Sequence, residues 1–481
     1  MTTDHTVAVD AMEDLLKISL KQGVRIEVQG PDQLLFRSED HTVRLDSVRP
    51  SVMNVLKQLL HQTYSKTALG SVVFEQDGFN GLNHLTHHIA QLERAGYLIY
   101  TLVERNTVLC HYEQMTGVAH FHTEVLRQAF RLSRFSFIRR EGDHFMLESS
   151  LGQARIVIYD RQVIDFIGSL SAFKTTDELA DENNLSPNVL LTLVKALQSG
   201  DFLEYNSPSE TPQADELWNF HDLLFHTRTR YGRHNYNLGG TYRFIGKRPP
   251  KTAIRREIDT LAEIALPLHN DEALNASKTL NSCLEQRQST RHFDGLDLQK
   301  LSLLLYRCLR IRNTRPYEVQ NAAGRTEEIE LLSAPYPSGG GMYELHFYLT
   351  IYECDGLEPG FYHYNAFDHS LSLLHRKNND TDTMMWYARA CMGTDTFPPA
   401  VITFSADFER KFWKYEHMAY AAILKNVGVI FQTLYLVATD LNLGACAIGN
   451  GNIEVLKNLT GKPLLQESSV GEFILGNPLK K

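Results

Sequence analysis

The chain has 481 residues, of which 43% are hydrophobic and 22% charged, enough for two to four globular domains of roughly 100–200 residues each. A formal net charge of -9 argues against general attraction to nucleic acid or to an anionic membrane, both anionic partners. The six cysteines are widely scattered with no CxxC, which supports neither a zinc site nor a disulfide framework and points to a reducing cytoplasm.

Met1 to Leu20 mixes acidic and apolar residues and lacks the basic start and apolar core of a signal peptide. Val24–Val28 and Gln33–Arg37 read as short strands around the turn Gly30-Pro31-Asp32, with Val43–Leu45 a third. Helical segments follow from about Ser51, and a helix from Leu82 to Ala95 closes on Gly96 before the strand Tyr97–Tyr100. The pattern recurs. Strands at Phe135–Ile138, Phe145–Glu148 and Ala154–Ile158 precede helices near Gln162–Leu170, Asp177–Asn183 and Val189–Gln198. Gly200 then closes the last helix before Phe202–Tyr205. Strands, then helices, then a returning strand outline a winged helix-turn-helix unit, present twice, each copy long enough for its own core. The helix Leu185–Ser199 carries only Lys195, with Asp177, Glu178, Asp181 and Glu182 just upstream, so DNA is an improbable partner. An exposed strand edge that accepts an extended peptide fits better.

Histidines 84, 87 and 88 have helical spacing, and His120 and His122 would share a strand face. Neither group has a cysteine or carboxylate at ligand spacing, so no metal site is expected. Asn206 to Asp215 (NSPSETPQAD) is the clearest linker. Beyond it lie Arg228, Arg230, Arg233, Arg243, Lys247 and Arg248, which could bind an anion or, as is commoner, pair with acidic side chains.

The last two hundred residues alternate strands and helices. Leu298–Leu309 and Thr383–Met392 read as helices. Glu344–Tyr352 reads as a strand with Leu345, Phe347, Leu349 and Ile351 on one face. Gly360–Tyr364 and Leu371–His375 form a hairpin, Ala400–Phe404 and Glu472–Leu475 further strands. Lys411 to Asn450 (KFWKYEHMAYAAILKNVGVIFQTLYLVATDLNLGACAIGN) reads as a buried helix with a polar entrance. It is apolar on nearly every face up to Leu443, yet Lys425 and Asp440 interrupt it, and no run in the chain has the unbroken length of a membrane span.

Three motifs in this half carry chemistry. Arg287-Gln-Ser-Thr-Arg291 sets two guanidinium forks around the Ser289 hydroxyl, a pattern suited to a phosphate monoester. Ala334-Pro-Tyr-Pro-Ser-Gly-Gly-Gly-Met342 places three glycines before a strand. There the backbone can approach a flat ligand and aim N–H groups at it, held by Pro335 and Pro337. Leu443-Gly-Ala-Cys-Ala-Ile-Gly449 is a second small-residue segment, without the GxGxxG spacing of a dinucleotide fold.

In this order the motifs resemble the FMN-dependent nitroreductase superfamily. Within it the resemblance is to the azoline oxidases (SagB-type dehydrogenases) of ribosomal peptide maturation, including cyanobactin thiazoline oxidases. FHTRTRYGRH, RQSTRHFDG, PYPSGGGMYELHFYLTIY, GLEPGFYHYN, the Lys414-Tyr415 pair and LGACAIG carry it, from about Phe225 to the C-terminus. The fold class implied is α+β. A C-terminal nitroreductase-like FMN domain (281–481), with a mixed, mostly antiparallel sheet flanked by helices, would follow winged-helix-like units at 1–105 and 106–208 and a connection at 209–280.

The resemblance further implies FMN as cofactor. Arg287, Gln288, Ser289 and Arg291 would lie at its phosphate, and Pro337, Ser338, Gly339 and Gly340 against the ring. Gly444, Ala445, Ile448 and Gly449 would line the other edge. Gln432 matches the first position of a family Gln-Asn pair, with Thr433 replacing the Asn. Lys414 and Tyr415 match the family's catalytic pair, the sequence leaving open which one takes the proton. The implied activity is oxidation of peptide thiazolines or oxazolines to thiazoles or oxazoles, with oxygen as acceptor. A homodimer and a functional link to a cyclodehydratase are also implied, and the N-terminal units look like precursor-peptide recognition modules. A nitroreductase or quinone reductase fed by NAD(P)H would leave the N-terminal half unexplained. A non-enzymatic peptide-binding scaffold would purify without flavin.

Overall fold

A computed structural model describes residues 15–38, 42–122, 125, 128–206, 214–251, 259–268 and 277–479. The stretch before Leu15 and most of the expected linker from Asn206 to Asp215 lie outside the described residues. The chain divides into two compact units, residues 1–236 and 237–481.

In the first unit the strands are β1 (Leu16–Leu20), β2 (Arg25–Gly30), β3 (Gln33–Arg37), β4 (Thr42–Leu45), β5 (Leu98–Glu104) and β6 (Thr107–Gln114). They continue with β7 (Phe130–Leu132), β8 (Ser136–Glu141), β9 (His144–Ser149), β10 (Ala154–Ile158) and β11 (Leu203–Tyr205). Both expected segments keep the order strands, helices, returning strand. Helices Pro50–Gln58 and Lys66–Arg94 (kinked at Gly78) serve the first, and Arg161–Ser169, Thr176–Glu182 and Pro187–Ser199 the second. The expectation of a core for each copy does not hold. β1, β5 and β6 join β10, β9 and β8 in one six-stranded antiparallel sheet. A single apolar core runs from Leu16 to Phe202. β6 is the reason: its Tyr112 and Cys110 register with Ile156 and Ile158 of β10, so each segment completes the other's sheet.

The second unit holds β12 (Gly239–Gly240), β13 (Ala262–Ala265), β14 (Asn313–Gln320), β15 (Thr326–Ser333), β16 (Leu345–Ile351) and β17 (Gly360–Asn365). After these come β18 (Ser370–Arg376), β19 (Ala400–Asp407), β20 (Tyr415–Glu416), β21 (Gly444–Ile448) and β22 (Glu467–Gly476). Seven of them form the sheet β13-β18-β17-β16-β19-β22-β21, antiparallel at each strand pairing, and a parallel bridge from Ser289 to Ala445 extends its edge. Leu345, Phe347, Leu349 and Ile351 do share a face, packed with Leu304 of helix Leu298–Leu309 and Ile423 of helix Ala419–Asp440. The opposite face of β16 is buried too, Tyr348 packing with Met384 and Leu456 from helices Asn379–Met392 and Ile453–Thr460. This is a sheet between helical layers in an α+β fold.

Two expectations for Lys411–Asn450 need correcting. The segment is not one helix. Phe408–Lys414 ends at Tyr415, Tyr415 and Glu416 pair with Gly240 and Gly239, and helix Ala419–Asp440 starts afresh. No proline marks the break. It is made by the β12–β20 pairing together with His417 at φ 53°. The second helix is also long and apolar enough to cross a membrane by length and composition, despite Lys425 and Asp440. Here Ile423, Val427, Ile430 and Leu434 are buried in the core instead.

Candidate active site

Asp407 caps helix Phe408–Lys414, its side chain accepting from the Arg410 N–H. The helix then directs three cations inward. Arg410 donates to the carbonyls of Met342, Lys251 and Glu330, holding the end of the glycine loop against β15. Lys411 Nζ donates to the Gly339 carbonyl at 2.8 Å and meets the Glu344 carboxylate at 3.3 Å, both side chains being 0% exposed. Lys414 Nζ donates to the Gly340 carbonyl at 3.0 Å. Tyr415 follows with its ring beneath both ammonium groups, 5.2 Å from Lys411 Nζ and 5.4 Å from Lys414 Nζ.

The structure therefore brings Lys414, Tyr415 and the glycine loop together. Gly340 has φ 70°, and a Cβ there would collide with Tyr415 Oη and stand 2.7 Å from Lys414 Nζ, so a side chain is excluded on two counts. The loop's N–H groups do not all face outward as expected. Gly339 N–H donates to Asn426 Oδ1 at 3.1 Å and Gly341 N–H to the Ser338 carbonyl at 3.0 Å. Asn426 Nδ2 donates in turn to Glu344 Oε1 and Ser338 Oγ at 2.7 and 3.1 Å. The loop is thus clamped from inside by Lys411, Glu344 and Asn426. Sequence reasoning passed over all three, because a lysine three residues before Lys414 reads as a surface charge. The signal was the spacing of Lys411 and Lys414, which puts both on one side of a helix.

Burial and the neighbouring Lys411 ammonium hold the Lys414 amine below the ordinary lysine value. Burial, then the Glu344 carboxylate, hold the Tyr415 phenol above its ordinary value. The two groups are pushed in opposite senses, as an amine that gives up its proton early and a phenol that keeps it.

The second cluster lies at the sheet edge. Ser289 Oγ and Tyr435 Oη are 3.0 Å apart, the Ala447 N–H donates to Tyr435 Oη at 2.8 Å, and the Arg287 guanidinium lies 5.1 Å from the Tyr435 ring. Thr290 N–H bonds the Ala445 carbonyl. Arg287-Gln288-Ser289 and the strand Gly444–Ile448 are therefore brought together, with Pro337-Ser338 in the first cluster. Gln288 and Arg291 are exposed. Neither Arg287 nor Arg291 pairs with a carboxylate among the described residues, which leaves both guanidinium groups able to meet an anion, while the Ser289 hydroxyl is engaged by Tyr435. Gly444 is small for another reason than expected: its missing Cβ leaves room for Thr290 Cγ2 and Phe293, within the protein. Gly449 faces open space. Gln432 is exposed, one turn before Tyr435. From Asn426 to Tyr435 the helix rises roughly 14 Å at 1.5 Å per residue, linking the clusters along one element.

Three of the six residues of the basic cluster pair with carboxylates. Arg228 bonds the buried Glu148, Arg243 meets Glu416 at 3.1 Å and Arg248 meets Glu409 at 4.0 Å. Among the described residues no group of three or more His, Cys, Asp or Glu could hold a metal.

Residues 284–476 match the nitroreductase family, and residues 130–235 match the cyanobactin oxidase ThcOx. A curated nitroreductase of Methanocaldococcus jannaschii is 24% identical over 191 residues, 39% of this chain and 87% of that protein. Among solved structures, a nitroreductase from Anabaena variabilis is 15% identical with a TM-score of 0.37, covering 96% of this chain and 94% of its own. A chain of the Escherichia coli microcin synthetase McbBCD complex with truncated pro-MccB17 bound is 16% identical with a TM-score of 0.32, covering 53% and 91%. The protein is thus an oxidoreductase carrying a nitroreductase-family domain. Residues 130–235 add a similarity to the cyanobactin oxidase ThcOx. That segment begins at residue 130, well before Phe225, where the motifs start.

Proposed function

We propose that the protein oxidises thiazolines or oxazolines in a heterocyclised peptide to thiazoles or oxazoles, during maturation of a ribosomally made product such as a cyanobactin. FMN would be the cofactor and oxygen the final acceptor. The observation that carries this reading is the Lys414–Tyr415 pair packed on Gly340, with the amine and the phenol shifted in opposite senses.

Each ring oxidised loses two electrons and two protons, one hydrogen leaving as hydride and the other as a proton. FMN, when bound, would supply the hydride acceptor, with oxygen, taken to peroxide, as the final sink for the two electrons. The chain's own task is the proton. Lys414, its amine biased towards the neutral form by burial and by Lys411, takes it from the ring carbon, while the Tyr415 phenol, biased towards keeping its proton, donates a hydrogen bond that orients the substrate. Arg287, Gln288, Ser289 and Arg291 would hold the phosphate. Pro337 to Gly340 would lie along the ring, with Gln432, Gly444, Ala445, Ile448 and Gly449 around its other edge.

Two further features support the reading. Tyr420 and Leu424, one turn apart on helix Ala419–Asp440, expose apolar surface, as a second copy of the chain would require. In the first unit β2 is an edge strand with a mostly exposed face, suited to pairing with an extended peptide delivered by a cyclodehydratase.

The test incubates FMN-loaded protein with a heterocyclised peptide in air, without nicotinamide. A mass loss of about two hydrogens per azoline is expected. Lys414→Ala and Tyr415→Phe, each still holding FMN, should lose at least ~100-fold in rate. An unchanged peptide mass, or near-normal turnover in both variants, overturns the proposal.

A further inference from the structure

The Lys411–Glu344 pair is the most deeply buried charged group in the second cluster's neighbour, the glycine-loop site, and the reaction as proposed does not use it. A buried ion pair is poor evidence of stability, since apolar residues of similar volume commonly do as well. Its geometry points elsewhere. Three elements converge on it: helix Phe408–Lys414 through Lys411, the start of β16 through Glu344, and helix Ala419–Asp440 through Asn426. Both polar groups of Gly339 are held by this network, the carbonyl by Lys411 and the N–H by Asn426. Ser338 Oγ is held as well, accepting from the Asn426 amide and the Tyr343 N–H.

We propose that Lys411 is a positioning residue for the Lys414–Tyr415 pair: it clamps the glycine loop from inside and keeps a positive charge one helical turn from the Lys414 amine. Lys414 and Lys411 donate to successive carbonyls of one loop, Gly340 and Gly339, so a shift in one alters the seat of the other. Lys411 also lies over the Tyr415 ring. The charged and titratable groups around the pair are Glu344 from β16, Arg410 and Lys411 from the same helix, and Tyr415 and Tyr242 at its end. Among the described residues Lys414 itself has no carboxylate partner, so the charge it meets is that of Lys411. The loop clamp and the electrostatic bias come from one side chain.

This inference rests on the catalytic reading of Lys414 and Tyr415, so its test includes a measurement that needs no turnover. In the FMN-loaded protein, acylation of Lys414 is followed by mass spectrometry as a function of pH, beside the pH profile of azoline oxidation. In Lys411→Met the unbalanced Glu344 carboxylate and the lost ammonium both favour protonated Lys414. The acylation midpoint and the acid limb of the rate should then rise together by about one pH unit. Lys411→Arg should bring the midpoint back towards the native value. Lys411→Met/Glu344→Gln leaves no unpaired buried charge and serves if the single variant does not fold, with a smaller rise in the same direction. An unmoved acylation midpoint in a folded variant lacking Lys411 overturns the inference. Full activity of Lys414→Ala and Tyr415→Phe would instead overturn the proposed function, whatever the acylation shows.

Discussion

Glu472 lies on β22, opposite Thr403 of β19 and Ile448 of β21, and is 4% exposed. Gly451 comes so close that the carboxylate fills the place where a Cβ would stand. Burial pushes this carboxyl up to about 7, a bond from Ser469 opposing only in part. Because the folded value lies above the ordinary 4.5, the fold binds a proton that the unfolded chain releases. Stability is therefore undiminished below about pH 4.5, falls as pH rises through the interval, and reaches its full loss above about 7. A rise of that size corresponds to ~3 kcal/mol. Glu472→Gln keeps the shape and removes the charge. Urea unfolding should show the variant more stable by up to ~3 kcal/mol at pH 8 and little changed at pH 4. Equal gains at both pH values would mean that packing, not ionisation, is at work.

At the scale of elements, helix Ala419–Asp440 joins the two halves of the site, its Asn426 holding the glycine loop and its Tyr435 holding Ser289. Asn426 is buried, so its amide's losses cannot be made good by water. Asn426→Ala should strip Gly339 N–H of its acceptor and Glu344 of its 2.7 Å donor. That should cost ~1–3 kcal/mol in urea unfolding. On the proposed function it should lower the rate of azoline oxidation more than FMN content, since Ser289 and Tyr435 sit about two and a half turns away. An Asn426→Ala protein as stable as the parent would show that the amide bonds are not formed in solution. The helix itself was legible from its apolar run, and so was the hairpin of β17 and β18 from its turn. The break at Tyr415–Met418 was not, because a distant pairing with Gly239–Gly240 makes it. Nor was the β14–β15 hairpin, where Arg315, Tyr317 and Glu318 face solvent and leave no alternation to read. In the site, the glycine run was read as room for a flat ligand, whereas Gly340 is held to glycine by Tyr415 and Lys414 packed against it. The roles of Lys411, Glu344 and Asn426 depend on contacts 67 to 88 residues apart in the chain, which no local pattern carries.

Across the whole molecule, local order was readable and long-range partition was not. Each N-terminal segment was expected to keep its own core, yet Tyr112 and Ile156 belong to one sheet because cross-strand pairing ignores sequence distance. The compact units meet at Tyr236 and Asn237, beyond the linker that composition singled out. Residues 237–481 contain the seven-stranded sheet, a core from Leu266 to Leu475, and both clusters of the site. A unit of that size is ample for an independent core. Expressed alone from Asn237, it should give near-ultraviolet circular dichroism and a single cooperative urea transition. On the proposed function it should also hold FMN, because Arg287, Ser289 and the glycine loop are all within it. In the proposed scheme it should oxidise a short azoline peptide while losing affinity for a long precursor, since the peptide-docking edge at β2 is gone. A fragment that folds and binds FMN yet treats both peptides as the full chain does would remove peptide docking from the first unit. A fragment without a cooperative transition would show that the second unit's core depends on the rest of the chain.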